Sequence, residues 1–486
     1  MPGAAILEDQ GLFKTEAFIA GEWVAAADGR TITVTDPADG STVGRVAALS
    51  AAESRKALDA AHAAWPGWAR LLPQARSALL RRWFELIEAA DDDLAKLMTL
   101  EQGKPLSEAR GEITYAAGFV EFYAEEAKRP NIESVTSHLP DAEVEIWREP
   151  VGVAALVTPW NFPAAMITRK AAAALAAGCP VLIHPSKETP FSALALAELA
   201  SRAGLPAGVV NVVTGDAATV VEPWLADPRV RALSFTGSTE VGRLLYRESA
   251  RTIKRLVLEL GGHAPFLVFE DADLDTAVAE AIKAKFATSG QDCLAANRIL
   301  VQREHYAAFV ERFTAATAAL TVGRGLDDPD IGPLMNEAAV RKQEAHVADA
   351  LARGARLTTG GKRHGLGPLF FAPTVLADVP PDALIFAEET FGPVAAIAPF
   401  DTEDEAVALG NAGEYGLVAY LHTLDPRRIY RVCRALRFGM VAVNRTKVTG
   451  APIPFGGMKQ SGLGREGSRL GMEEFTEVKY VCRDWA

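Results

Sequence analysis

Apolar positions recur along this chain with two different periods, and the switching between them lays out the elements. Residues 17–35 read as short strands: Ala17-Phe18-Ile19, a turn at Gly21-Glu22-Trp23, then Thr31-Ile32-Thr33-Val34. Apolar residues at three- and four-residue spacing then predict long helices over about 51–66 and 74–103, and another from Leu106 to Ala127. Glu133 to Trp147 alternates apolar and polar residues around a Leu139-Pro140-Asp141 turn. It predicts a β-hairpin standing off the body, either an oligomer contact or simply surface. From Val151 the rhythm changes. Strands at Val151–Val157, Val181–His184, Val209–Val213 and Val230–Phe235 alternate with helices at about 164–177, 189–203, 216–226 and from Thr239. That alternation predicts parallel βαβ units in a doubly wound sheet, whose ligands bind beyond the carboxyl ends of the strands. The loops at Trp160, Pro185 and Gly237 all leave such ends and so can share one crevice. A second α/β stretch runs from near Gly262 to about residue 435, with strands at Pro265–Phe269, Arg298–Val301 and Val394–Ala398. Glu473 to Val481 alternates like a strand, one able to add to a neighbour's sheet.

Composition narrows the class. A chain of 486 residues with 49% hydrophobic and 23% charged residues is an ordinary globular protein of two or three domains. A net charge of −12, with no basic run to offset it, excludes a nucleic-acid surface. The most apolar run, Ala171 to Ile183, is broken by Gly178 and Pro180 and is too short to span a membrane. Met1 to Gln10 lacks the pattern of a secretory signal. The four cysteines, Cys179, Cys293, Cys433 and Cys482, make neither a disulfide framework nor a CxxC pair, so no metal site and a reducing cytoplasm are expected.

Candidate chemistry centres on Gly290-Gln291-Asp292-Cys293, between a helical run, Leu274 to Ala287, and a strand. A cysteine at such a junction projects from an exposed turn and serves as a nucleophile; the alternative is one more buried cysteine. Phe235-Thr236-Gly237-Ser238 ends a strand and opens a helix, where a phosphate meets free N–H groups and the helix dipole. That turn needs glycine for its geometry in any case, and it is not GxGxxG. Glu259 follows a strand and precedes Gly261-Gly262, which suits a general base; the alternative is a solvated loop carboxylate. Asn161, in a turn bracketed by prolines, offers an amide to an oxyanion or bonds its own backbone.

Six ordered motifs carry a resemblance over essentially the whole chain: Pro159-Trp160-Asn161-Phe162-Pro163, Phe235-Thr236-Gly237-Ser238, Glu259-Leu260-Gly261-Gly262, Gly290-Gln291-Asp292-Cys293, Glu388-Glu389-Thr390-Phe391-Gly392-Pro393 and Pro454-Phe455-Gly456-Gly457. The sequence resembles the NAD(P)-dependent aldehyde dehydrogenases, and among them the succinate-semialdehyde dehydrogenases through Ala164–Lys170, Phe191–Ala200 and Gly462–Ser468. The resemblance implies an α/β fold with a doubly wound, Rossmann-like cofactor domain (1–130 and 148–261), a second α/β catalytic domain (262–440) and a small β oligomerisation arm (131–147 and 470–486). It implies a cytoplasmic homodimer or homotetramer. Cys293 attacks the aldehyde as thiolate, Asn161 and the Cys293 N–H hold the oxyanion, and Glu259 activates the water that releases the acid; Lys170 belongs with this catalytic group. By the same resemblance Trp160, His184, Ser186, Lys187, Gly237, Ser238, Leu260, Glu389 and Phe391 face the cofactor, and Arg169 and Thr449 face the substrate; Arg445 and Lys447, where semialdehyde enzymes are mostly neutral, either join the substrate wall or are solvated loop charges.

Three departures from the family pattern bear on specificity. His184-Pro185-Ser186-Lys187 stands where relatives have Lys-Pro-Ser-Glu, so the ribose-binding lysine is His184 and the ribose glutamate is Lys187. Losing that carboxylate and gaining a cation favours a 2′-phosphate, so use of both NADP and NAD is expected. Ala287 replaces an arginine that pairs the substrate carboxylate in semialdehyde enzymes, while Arg445 and Lys447 add charge to the loop before Pro454. The expected substrate is a small anionic aldehyde, succinate semialdehyde or a close analogue. Alternatives are a sulfonate or phosphonate head, as in sulfolactaldehyde, and a non-catalytic relative. Finally, Ala295 leaves no second cysteine beside the nucleophile.

Overall fold

Two sheets organise the molecule, and the chain crosses from one to the other within four residues. The structure is a computed structural model and describes residues 2–129 and 132–484. The first sheet has eight strands in the order Gly462–Leu463, Arg255–Glu259, Val230–Thr236, Val153–Val157, Val181–His184, Val210–Val212, Ala17–Ile19, Glu22–Val24. Its middle five strands are parallel, as the βαβ rhythm predicts, and antiparallel strands close both edges. The second sheet has seven strands, ordered Arg356–Thr359, Thr374–Ala377, Val394–Phe400, Ala296–Gln302, Ala264–Val268, Val418–His422, Met440–Val443, parallel except for the first pair. Glu259 ends a strand of the first sheet and Ala264 begins one of the second. The segment Leu260–His263 is therefore the crossing point, and the catalytic motifs gather around it.

Small residues draw the layers together. Every residue of the helix Ala165–Ala177 is buried, and its alanine run lets it lie close against Leu106–Glu126. The buried indoles of Trp68 and Trp83 donate to the carbonyls of Leu175 and Leu196, both at 3.1 Å. Truncating either to alanine removes about 3–5 kcal/mol of packing.

The structure revises and completes the predicted elements. The helix over 74–103 is two helices, Pro73–Ala89 and Asp91–Gln102, because Ala90 turns out of helical geometry (φ −102°, ψ 14°). Three aspartates, Asp91 to Asp93, then occupy the first turn of the new helix, where the dipole favours them. Glu22 and Trp23 lie in a strand rather than a turn; the reversal is at Ala20 and Gly21, both at positive φ. The hairpin forms as Ile132–Val135 and Ala142–Pro150, and Thr476–Asp484 pairs along the whole of Ala142–Pro150 in its own chain. The strands Arg356–Thr359, Thr374–Ala377, Val418–His422 and Met440–Val443 carried too short an apolar signal to be read. Of the described residues, no helix is long and apolar enough to cross a membrane.

Candidate active site

The loop that carries Cys293 is held under strain. Thr288, Ser289 and Gly290 have φ of 50°, 57° and 72°, three left-handed residues in succession. Non-glycine residues in this region cost about 1–3 kcal/mol each and persist only where their surroundings hold them. Here the Glu108 carboxylate accepts from the Thr288 N–H at 2.9 Å, Ser289 Oγ bonds both the N–H and the carbonyl of Gly332 at 3.0 Å, and Gln291 Oε1 accepts from the Met335 N–H at 2.9 Å. Two glycines allow the packing. A Cβ on Gly290 would stand 2.2 Å from the Gly392 carbonyl, and one on Gly262 would stand 2.0 Å from that of Cys293. The predicted exposed turn is therefore corrected: Cys293 is buried, 7% exposed, because the loop is clamped on both sides. Its thiol is reached through cavities.

Two cavities meet at that cysteine. The inner one, about 360 Å3, is lined by Trp160, Asn161, Gly237, Ser238, Glu259, Leu260, Glu389 and Phe391 along with Cys293. The sequence thus brings eight of its predicted catalytic and cofactor residues to one cleft beside the cysteine. Glu259 is 2% exposed and neither carboxylate oxygen has a hydrogen-bond partner among the described residues. Burial pushes its pKa up to about 7, against the pull of Arg169. The thiol of Cys293 is raised well above its usual value by burial and then by Glu259 and Asp292. Asn161 Nδ2 donates to the Gln291 carbonyl at 3.1 Å, which leaves its second N–H for a ligand. Its backbone is pinned as well: the buried Lys104 ammonium donates to the Asn161 carbonyl at 2.8 Å and pairs with Glu112 at 2.5 Å. Glu112 in turn accepts from the N–H groups of Ala164 and Ala165 at 2.9 and 3.1 Å. Removing one member of such a buried pair costs about 3–5 kcal/mol.

The groups along this cleft fit a dinucleotide. Ser238 caps the helix Thr239–Ser249, whose first N–H groups face the cleft and suit a phosphate. Glu389 accepts from the Gly262 N–H at 2.8 Å through Oε1, leaving Oε2 toward Gly261, where a Cβ would stand only 3.0 Å away. A carboxylate so placed suits ribose hydroxyls. Trp160 and Phe391 pack edge to face at 5.6 Å, with Phe391 at φ 50°.

The outer cavity, about 300 Å3, reaches Cys293 from the other side and is lined by Arg169, Lys447 and Thr449. It also exposes Glu108, Tyr115, Thr288 and Asp292, which sequence reasoning missed. Glu108, Glu112 and Tyr115 recur at i, i+4 and i+7 on the helix Leu106–Glu126, a polar stripe that was there to be read.

Several predicted residues lie elsewhere. Arg445 opens onto a shallow outer cleft with Glu280 and Lys283, because Glu280 anchors the next residue, Thr446, through its N–H (2.6 Å) and hydroxyl (2.8 Å). Lys447 borders both that cleft and the outer cavity. Lys170 lines neither cavity; it is buried, donates to Thr236 Oγ1 at 2.6 Å and pairs with Glu466, so its place is under the site. His184 is 3% exposed, and its Nδ1 lies 2.9 Å from the Val213 carbonyl, so one ring nitrogen is tied to the sheet. Burial also lowers its pKa. Ser186 is half-buried and donates to Glu188, whereas Lys187 is exposed.

A buried thiol between a dinucleotide-shaped cleft and a second cavity, with a carboxylate and a free amide beside it, is what oxidation of an aldehyde through a thioester requires. The chain belongs to the aldehyde dehydrogenase family, whose profile matches residues 23–481; its members are NAD(P)-dependent oxidoreductases. Within that family it is similar to semialdehyde dehydrogenases. It is 54% identical over 477 residues to the aspartate-semialdehyde dehydrogenase (non-phosphorylating) of Halomonas elongata, covering 98% of this chain and 97% of that one. It is 52% identical over 477 residues to the NADP(+) succinate-semialdehyde dehydrogenase GabD of Escherichia coli, covering 98% and 99%. The crystal structure of succinate-semialdehyde dehydrogenase from Burkholderia pseudomallei superposes with a TM-score of 0.98 at 51% identity, over 99% of this chain and 100% of that one.

Proposed function

We propose that the protein oxidises a small aldehyde bearing an anionic head group, succinate semialdehyde or a close analogue, to the carboxylic acid with NAD(P)+. One observation carries this reading: Cys293 is common to the walls of both cavities, so one thiol is open to a substrate on one side and a dinucleotide on the other. Cys293 adds to the aldehyde carbon as thiolate, its proton having passed to solvent, and Glu259, whose pKa near 7 suits a base at neutral pH, stays unprotonated for the later step. The spare N–H of Asn161 and the backbone N–H of Cys293 hold the oxyanion. Bound nicotinamide supplies the hydride acceptor. Glu259 then deprotonates the water that opens the thioester on Cys293.

The head group falls to Lys447 and Thr449. Arg169 is committed elsewhere, paired with Glu466 at 2.5 Å and stacked 4.1 Å from the Phe455 ring. Lys447 forms no ion pair with a described residue and borders the cavity's outer end. For the cofactor, Lys187 is the cation available to a 2′-phosphate, without help from His184, and we infer that NADP serves at least as well as NAD. The 131–147 hairpin and the C-terminal strand serve a homodimer or homotetramer: Val478 and Tyr480 are 61% and 71% exposed on a strand with one free edge.

The test is reduced-dinucleotide absorbance with semialdehydes carrying carboxylate, sulfonate and phosphonate heads. Turnover of at least one, dependent on dinucleotide and lost in Cys293→Ser, is expected. Ester turnover without dinucleotide, or binding without turnover, would overturn the reading.

A further inference from the structure

Gln343 is out of place as a packing residue. It lies on the helix Glu337–Ala352 and is 0% exposed. Its Oε1 is buried and has no hydrogen-bond partner among the described residues. A leucine or methionine of similar size would fill the same space and leave no polar atom unpaired, so burying an amide here is unfavourable unless the amide does something else.

What the amide does is hold a loop of the inner cavity. Nε2 donates to the Thr390 carbonyl at 3.0 Å and, at 3.3 Å, to the carbonyl of Ala339 four residues back on its own helix. Among the described residues, the first of these is the one hydrogen bond made by the backbone between Glu389 and Phe391. The Gly392 backbone packs against the same amide: a Cβ there would stand 2.3 Å from Gln343 Cδ. The loop so held carries Glu389 and Phe391 into the cleft. Phe391 is left-handed, with φ 50°, a geometry that a non-glycine residue keeps only where its neighbours hold it.

The other end of this helix is tied to the nucleophile. Gln291, two residues before Cys293, accepts from the Met335 N–H at 2.9 Å through Oε1. Asn336 then caps the helix, its Oδ1 accepting from the Ala339 N–H at 2.9 Å. Ala338 and Ala339, in the first turn, line the inner cavity. One rigid element therefore joins the loop of Cys293 to the loop of Phe391, fastened by Gln291 at one end and by Gln343 at the other.

We propose that Gln343 is a positioning residue for the dinucleotide: it fixes Glu389 and Phe391 relative to Cys293 and so sets the seat of the nicotinamide half. That half must lie beside the thiol to take the hydride, whereas the adenosine half lies farther along the cleft. Gln343 itself lines neither cavity and acts only through the loop it holds. The proposal rests on the function proposed above.

The test is dinucleotide binding, by fluorescence titration, in two variants. Gln343→Met keeps the length and removes the donor; Gln343→Asn keeps the amide and loses the reach. Each should raise Kd for NADP by about tenfold, the effect of one hydrogen bond withdrawn from a buried carbonyl, and leave Kd for 2′,5′-ADP, which has only the adenosine end, within about twofold. At saturating NADP, KM for 4-oxobutanoate should also stay within about twofold. Gln343→Met removes one orphaned acceptor and leaves another, so it should melt within about 2 °C of wild type. NADP binding unchanged in both variants overturns the proposal. Equal weakening of NADP and 2′,5′-ADP, or failure of both variants to fold, makes Gln343 structural and overturns it as well. Any of these results beside an active wild type leaves the proposed function standing; a wild type that binds no dinucleotide overturns both.

Discussion

The two cavities that meet at Cys293 are made of different material. The inner one is shaped by backbone: strand ends at Thr236 and Glu259, the turns of Gly237 and Gly261, and the left-handed Phe391. The outer one is shaped by side chains from distant elements: Glu108 and Tyr115 from one helix, Met166 and Arg169 from another, and Lys447, Thr449 and Phe455 from a loop near the end of the chain. Backbone geometry tolerates little substitution, so under the proposed function the inner cavity would fix the reaction. Side chains can be exchanged without moving the fold, so under the same proposal the outer cavity would set what is oxidised.

Changes at the shared wall test whether both cavities serve one reaction. Cys293→Ser should lower aldehyde oxidation by at least about a thousandfold, since a hydroxyl lacks thiolate character, while dinucleotide binding by fluorescence titration persists. Loss of dinucleotide binding as well would mean the two sides are not separable.

Glu259→Gln should slow acid release by about a hundredfold or more while sparing the initial burst of reduced dinucleotide. The sign of its pH dependence follows from its raised pKa. The carboxylate is the active form, so release in the wild-type enzyme should fall as pH drops through about 7 and hold above it. In Glu259→Gln that inflection should vanish from stopped-flow traces; its persistence would assign the base elsewhere.

The outer cavity should break without disturbing the inner. Lys447→Ala should raise KM for a carboxylate-bearing aldehyde by about tenfold, within the range of a charge-assisted contact, and leave a neutral aldehyde of the same length unaffected. Equal losses on both aldehydes would make Lys447 structural.

The smallest effect belongs at the far end of the inner cleft. Lys187→Glu should shift the ratio of kcat/KM for NADP over NAD toward NAD by about tenfold. An exposed lysine is easily screened, so the shift should shrink as salt rises. An unchanged ratio would show that Lys187 does not read the 2′ position.

The same contrast explains how much could be read from the sequence. The βαβ rhythm and the turns at Gly237 and Gly261–Gly262 are local signals, and the first sheet and inner cavity follow from them. Glu259 and Cys293 were placed by motif, but the burial of Cys293 depends on clamps from Glu108, Gly332 and Met335, which no local window contains. His184 and Lys187 lie three positions apart and differ in fate: a buried strand-end residue and an exposed loop residue. Arg445 and Lys447 differ likewise, because Glu280, 166 positions away, holds Thr446 between them.

The central claim is that Cys293 carries the substrate covalently between the two cavities. Glu259→Gln enzyme mixed with NADP and 4-oxobutanoate, quenched in acid and digested, tests it directly by mass spectrometry. The account predicts a succinyl adduct on the peptide containing Cys293, absent without dinucleotide and absent when Cys293→Ser is added to the variant. No adduct, or one on Cys179, Cys433 or Cys482 instead, would contradict it.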